Sequence, residues 1–263
     1  MIEQNAPIGF IDSGAGGISV MLTCRKLLPN ENFILYGDSA NAPYGEKSDE
    51  QIKNLVIAAA EKLLEKNIKA LVIACNTATT IAGELLYSRL NIPVVGTVPA
   101  LKEGEKLLKD GQMLVMLTPA SARSKTMRRI MLRYGAHAKV LPCPGLMEFV
   151  ERGEIEGERL ENKLTELLSP YKDENIDVVA LACTHYPFLL NEIRKHFDDN
   201  TIFIDGSSET SKALIHALNS GNMLNSSKNQ GYTQFLSSGD KKAIDNMKKL
   251  YVLGGGEESS IID

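Results

Sequence analysis

Two cysteines sit in matching contexts far apart in the chain. Leu71-Val72-Ile73-Ala74-Cys75-Asn76-Thr77 and Ala180-Leu181-Ala182-Cys183-Thr184-His185 each run from an apolar stretch into polar residues. Each cysteine therefore falls where a buried strand stops and a helix is about to begin. In open α/β sheets ligands gather outside the carboxyl ends of the strands, and a helix N-terminus just beyond favours a thiolate. A lone strand-end cysteine is ordinarily a small buried hydrophobe. Two in equivalent positions, each followed by polar groups that a core would exclude, point to chemistry instead. Cys24, in a helical stretch, and Cys143, in a Pro-Cys-Pro turn, keep the plain packing reading.

Opposed thiols suit the inversion of a carbon acid. Taking the α-proton of an amino acid needs a positioned base on one face, and returning a proton to the other face needs a matching acid. A thiolate and a thiol supply both, with roles that swap when the reaction reverses. Asp12-Ser13-Gly14 follows the first strand, so Asp12 and Ser13 are expected on the same edge as Cys75, with Asp12 able to orient it or take its proton. His185 is placed to do the same for Cys183. Taken alone, Asp12 reads equally as a helix cap and His185 as a structural group. Asn76, Thr77 and Thr184 offer hydrogen bonds to an ammonium and a carboxylate, although a threonine there can also cap a helix. Pro43-Tyr44-Gly45 reads as a turn just past the second strand, where Tyr44 and the backbone could close over a small ligand.

These residues need a sheet whose strand ends converge. Short apolar runs alternate with amphipathic stretches: IGFID, a helix near 17–28, FILYGDS, a helix near 49–66, ALVIAC, a helix near 78–90 and IPVVGT. Ser48 and Gln51 form a capping box before the second helix. The rhythm resumes after Pro99 with QMLVMLTP, a helix near 121–134, AKVLPCP, a helix near 157–168, DVVALAC, a helix near 187–197 and TIFIDG. The pattern predicts an α/β protein of two similar domains, each a mainly parallel sheet flanked by helices. The expected division is residues 1–97 with 208–263 as the first domain and 98–207 as the second. A helix (SETSKALIHAL), a polar loop, a strand (YTQFLSS) and a last helix follow. The glycine-rich, acidic tail GGGEESSIID is expected to be disordered.

Composition narrows the function classes. At 263 residues, 43% hydrophobic and 24% charged, the chain is an ordinary globular protein long enough for one large or two modest domains. A net charge of −4 without a basic stripe disfavours nucleic acid as a ligand. No apolar run reaches a membrane span and the start lacks a secretory pattern, so a cytoplasmic protein is expected. Four scattered cysteines without a Cys-x-x-Cys pair suggest neither a disulfide framework nor a zinc site.

IDSGAGGISV, YGDSANAPYG, IACNTATT and LACTHYPFL together resemble the signature set of the aspartate/glutamate racemase family, most closely its bacterial glutamate racemases. IPVVGTVPA, the stretch from Gly145 to Glu151 and SSGD extend the likeness in order and approximate spacing. The resemblance implies a pair of α/β domains with the active site between them, no cofactor and no metal, and interconversion of L- and D-glutamate for peptidoglycan by a homodimer. It implies Cys75 and Cys183 as the catalytic thiols assisted by Asp12 and His185. By the same resemblance Asp12, Ser13, Pro43, Tyr44, Gly45, Asn76, Thr77, Thr184 and His185 hold substrate. Ala182 stands where the family has glycine, and LTPASARS at 117–124 departs from its usual glycine-containing stretch; both bear on substrate fit.

Three other readings compete. An aspartate racemase would use the same chemistry on a shorter substrate. A nucleotide-dependent oxidoreductase is suggested by Gly14-Ala15-Gly16-Gly17 after a strand and Asp38 about 20 residues on, but Ser19 stands where the pattern requires its last glycine. A non-catalytic amino-acid-binding regulator on the same scaffold would have little use for two reactive thiols.

Overall fold

The computed structural model describes residues 3–263. The chain alternates β1 (Ile8–Asp12), α1 (Ile18–Leu27), β2 (Phe33–Gly37), α2 (Asp49–Leu64), β3 (Ala70–Ile73), α3 (Asn76–Arg89) and β4 (Val94–Gly96). It continues through α4 (Leu101–Leu107), β5 (Gln112–Leu117), α5 (Pro119–Arg123), α6 (Lys125–Tyr134), β6 (Ala138–Pro142), α7 (Met147–Glu151), α8 (Glu158–Leu168) and β7 (Ile176–Ala182). The last elements are α9 (Leu190–Arg194), β8 (Ile202–Asp205), α10 (Ser207–Ser220), β9 (Thr233–Ser237), α11 (Lys241–Leu253) and β10 (Ile261–Ile262).

Two sheets result, ordered β10-β9-β2-β1-β3-β4 and β6-β5-β7-β8, and every paired strand runs parallel. Parallel strands need helical crossovers on both faces, which is why each strand is a continuous apolar run. The period of two then splits the side chains between cores. Phe10, Phe33 and Val72 face one cluster and Ile11, Ile34 and Ile73 the other. In the second sheet Leu114, Met116, Val179 and Leu181 share the cluster of Phe10 and Phe33, so one core runs continuously through both sheets. Val115, Leu117, Val178 and Ala180 face a third core under α4 and α6.

The helices follow their local signals. The capping box of Ser48 and Gln51 is formed at the start of α2. The single helix expected over 121–134 is broken into α5 and α6, because Ser124 adopts an extended backbone and turns its hydroxyl to cap Met127. The helix expected from 187 begins as a 3₁₀ turn, Tyr186–Leu189, with Pro187 in its first positions, before α9. The short helices α4 and α7 were not anticipated.

The tail corrects another expectation. Glu258–Ser260 forms a 3₁₀ turn and Ile261–Ile262 pairs with Thr233 and Gln234 at the sheet edge. Composition suggested disorder, but the buried Ser260 hydroxyl meets Tyr251 Oη at 3.0 Å and fastens the segment to α11. Among the described residues, no helix is long and apolar enough to cross a membrane.

Candidate active site

Both cysteines lie where the strand pattern predicts, at the carboxyl edges of β3 and β7. Cys75 is itself the N-cap of α3, and its Sγ accepts the Ala78 N–H at 3.4 Å. Its other neighbour is the Ser13 hydroxyl at 3.7 Å. Burial and the charge of Asp12 push the Cys75 thiol up to about 12, with Cys183 adding to the rise and the Ala78 amide and Ser13 tempering it. Cys183 Sγ lies 3.7 Å from His185 Nδ1. All four cysteines are free and buried. Cys24, against Ser211, and Cys143, whose Sγ points at the Leu141 carbonyl, are packed away as expected.

Asp12, fully buried, accepts the Gly14 N–H at 3.0 Å and the Thr184 hydroxyl at 3.0 Å. It is therefore no helix cap; the N-cap of α1 is Gly17, without a side-chain bond. Nor does it bond Cys75 directly. It acts on that thiol by charge, and holds Thr184 from the second sheet against the first. Burial raises its carboxyl from 3.8 to about 6, against the pull of His185, Gly14 and Thr184.

His185 is fully enclosed, and its Nε2 lies 2.6 Å from Glu151 Oε1. That contact calls for a hydrogen on Nε2, which the Gly16 N–H also approaches at 3.2 Å, while Nδ1 faces Cys183 and Thr184. Burial alone would depress the imidazole; bonding and charge from Cys183 and Glu151 overcome it and raise His185 well above its ordinary value. Burial would raise the Glu151 carboxyl, but His185 and the Ala15 N–H, 2.6 Å from Oε1, hold it below its ordinary range. The pair is an imidazolium and a carboxylate.

Glu151, at the end of α7, is the residue that the site reading missed. Its sequence context, EFVERGEIEGE, reads as a solvated charged face. The sole signal was its place at the end of the Gly145–Glu151 stretch. The glycines of residues 14–17 also find their reason here. A Cβ on Gly14 would collide with the Glu151 carboxylate, and one on Gly16 with His185 and Thr184. The loop admits side chains, not a phosphate. Asp38 likewise is engaged by Tyr44 Oη at 2.7 Å, by Asn41 at 3.0 Å and by Ser238 at 2.5 Å, which leaves it no part in holding a ribose.

The remaining residues form the wall. Tyr44 is buried with its hydroxyl committed to Asp38, so it contributes its ring and backbone; burial and Asp38 raise its phenol above the ordinary range. Pro43 is half-buried beside it, and Gly45 packs so closely on Thr118 that a Cβ there would lie 3.0 Å from Thr118 Cβ. Thr77 Oγ1 meets Thr118 at 2.8 Å and Ser121 at 3.1 Å, joining the sheets through hydroxyls. The 117–124 departure therefore does touch the site. The Ala182 departure does not: its methyl faces the core of Val115 and Met127, on the opposite side of the strand end from Cys183.

Asn76 is buried and its Oδ1 has no hydrogen-bond partner. It lines a small cavity, about 10 Å³, with Ser19, Thr97, Cys183, Thr184 and Asp205. A buried acceptor left open beside a thiol is a group placed for a donor such as an ammonium. The roomier clefts, against α11 and between α3 and α6, lie away from both thiols.

The comparisons agree with this geometry. The chain is 44% identical over 254 residues to a glutamate racemase of Clostridium botulinum (strain Alaska E43 / Type E3), covering 95% of this chain and 98% of that one. It is 45% identical over 251 residues to a glutamate racemase of Clostridium perfringens, covering 94% and 96%. The crystal structure of glutamate racemase from Francisella tularensis in complex with D-glutamate superposes with a TM-score of 0.82 at 29% identity, over 98% of this chain and 97% of that one. The profile of the Asp/Glu/Hydantoin racemase family matches residues 8–214, and the chain belongs to that family.

Proposed function

We propose that this protein is a glutamate racemase that inverts the α-carbon by two-thiol proton transfer, with Cys75 and Cys183 as the opposed groups. The observation that carries the reading is the pairing of these thiols on strand ends of different sheets, each beside its own polar partner. One cysteine, as thiolate, removes the α-proton; the electron pair delocalises into the substrate carboxylate; the other thiol delivers its proton to the opposite face. The reverse direction exchanges the roles, and no net electrons or atoms leave the substrate.

In this reading the His185–Glu151 pair supports the thiolate of Cys183, since an imidazolium at 3.7 Å offsets a negative sulfur. Cys75 rests as a thiol beside Ser13, with Asp12 nearby to bias its proton. Asn76 Oδ1 takes the substrate ammonium, while Ser13, Thr77 and Thr184 take the carboxylates, and Pro43, Tyr44 and Gly45 close the wall. Residues 1–97 with 208–263 act as one domain and 98–207 as the other, a division supported by the membership of the two sheets. The substrate assignment is supported by the glutamate racemases that match nearly end to end. Cytoplasmic location, a homodimer and supply of D-glutamate for peptidoglycan rest on the family resemblance.

The test is proton NMR of L- and D-glutamate in deuterium oxide, with chiral analysis, for wild type, Cys75→Ser and Cys183→Ser. Wild type exchanges the α-proton and interconverts both enantiomers; each variant loses racemisation, and residual exchange on one enantiomer assigns the faces. Activity on aspartate with none on glutamate would overturn the substrate. A racemising Cys75→Ser or Cys183→Ser variant would overturn the mechanism.

A further inference from the structure

Glu151 must be held still to hold His185, and α7 is too short to do this alone. It has five residues and no side-chain cap, and Gly153, two residues past its end, has a φ of +72 that turns the chain away. The Val150 carbonyl takes the Gly153 N–H at 2.9 Å, whereas no turn or cap N–H reaches the Glu151 carbonyl. Asn246, from α11, ties both: its Nδ2 donates to the Val150 carbonyl and to the Glu151 carbonyl, each at 3.0 Å. A primary amide nitrogen has two hydrogens, and both are used. Its Oδ1 sits over the turn, where a Cβ on Gly153 would lie 3.2 Å away.

A chain of contacts follows from the C-terminal helix to a reacting sulfur. Asn246 fixes the end of α7; Glu151 Oε1 meets His185 Nε2 at 2.6 Å; His185 Nδ1 faces Cys183 Sγ at 3.7 Å. Glu151 Oε1 also accepts the Ala15 N–H at 2.6 Å, in the loop that carries Ser13, but no bond of this chain ends on Cys75, whose partners are Ser13 and Ala78. We infer that Asn246 is a positioning residue whose main effect falls on the Cys183 side of the reaction, acting through Glu151 and His185. The inference rests on the two-thiol reading.

Such one-sidedness has a kinetic signature that general loosening of the fold does not. The two enantiomers have equal free energy, so the racemisation equilibrium constant is one and kcat/KM must fall equally in both directions. The isotope effects need not. If the Cys183 step alone is slowed, the primary effect on α-deuterated substrate rises only for the enantiomer whose proton Cys183 removes.

Asn246→Asp keeps the shape and removes both donors, and Asn246→Ala removes them without adding a charge, should the first variant fold poorly. The expected result is a drop in kcat/KM of about tenfold for both enantiomers, as for loss of a hydrogen-bonded positioning contact. The α-deuterium isotope effect rises for one enantiomer, the one identified by Cys183→Ser, and amide hydrogen exchange at residues 151–153 accelerates. A kcat/KM within twofold of wild type in a folded variant, isotope effects that rise alike for both enantiomers, or unchanged exchange at 151–153 would overturn it. If wild type fails to racemise glutamate, the parent reading falls, while the exchange measurement still decides whether Asn246 holds α7.

Discussion

Replacing Asp12 by asparagine should make the protein more stable and less active, with a stability gain that appears only as pH rises. Burial lifts the Asp12 carboxyl from 3.8 to about 6 even after the His185 charge and two hydrogen bonds have pulled it down. The folded protein therefore binds more protons than the unfolded chain between those values, and stability falls as pH climbs through the window. The rise from 3.8 to about 6 corresponds to about 3 kcal/mol of lost stability near pH 7. Asparagine has no charge to bury. Turned with its oxygen to the Gly14 N–H and its amide to Thr184, it fits the same two partners, because the Thr184 hydroxyl accepts as well as donates.

Thermal and chemical denaturation of wild type and Asp12→Asn at pH 4, 5, 6 and 7 would read this directly. The two proteins should nearly coincide at pH 4 and separate above it. At pH 7 the variant should melt roughly 5–10 °C higher, on the scaling for a chain of this length. Its kcat/KM should fall about a hundredfold, the range for a lost acid–base group. The pairing of more stability with less activity is what a strained functional carboxylate predicts. A variant no more stable than wild type at pH 7, or a difference that stays flat from pH 4 to pH 7, refutes the argument.

Glu151→Gln removes the carboxylate that, together with Cys183, holds His185 above its ordinary value; burial then weighs more on the imidazole, and kcat/KM should fall by roughly 10- to 100-fold, the worth of one charge-assisted hydrogen bond. The same change should shift the activity loss at high pH toward neutrality, because a His185 raised above its ordinary value keeps its proton until pH passes that raised value; an unchanged pH profile would count against it. Glu31→Gln tests the far edge of the first sheet, where the buried Lys69 ammonium is met by Glu31 and by the carbonyls of Gln4 and Met223. Stranding that ammonium should cost about 3–5 kcal/mol in urea denaturation, with kcat of the folded enzyme unchanged because this edge lies opposite the thiols; a loss under about 1 kcal/mol would contradict it.

Much of this was legible in the sequence because strand punctuation is a local signal. The runs that end at Asp12, Cys75 and Cys183 are apolar on both faces, as strands covered by helices on both sides must be, and their polar endings mark the edge where a ligand sits. His185 was legible by its spacing from Cys183. Glu151 was not, because its function comes from a tertiary contact with a residue 34 positions away, and its neighbours are ordinary surface charges. The tail misled for a related reason. Glycine and acid lower the local preference for order, but Ser260 and Ile261 are held by Tyr251 and β9, which a reading of composition cannot weigh. Glycine had two meanings at residues 14–17, and only the closeness of Glu151 and His185 to that loop chose between them.

The two thiols are equivalent in topology but not in surroundings, and the difference bears on how the reaction can run both ways. Cys183 has an imidazolium within 3.7 Å, fixed in turn by Glu151. Cys75 has a hydroxyl, one amide at its helix N-terminus and a nearby carboxyl, and its thiol stands at about 12. An empty site therefore favours a thiol at position 75. A substrate ammonium held by the open Asn76 Oδ1 brings a positive charge to the thiols and offsets what Asp12 and burial impose. On this argument the substrate itself prepares Cys75. Amino-acid analogues lacking the ammonium should then fail to lower the Cys75 thiol, even where their carboxylates are fully bound.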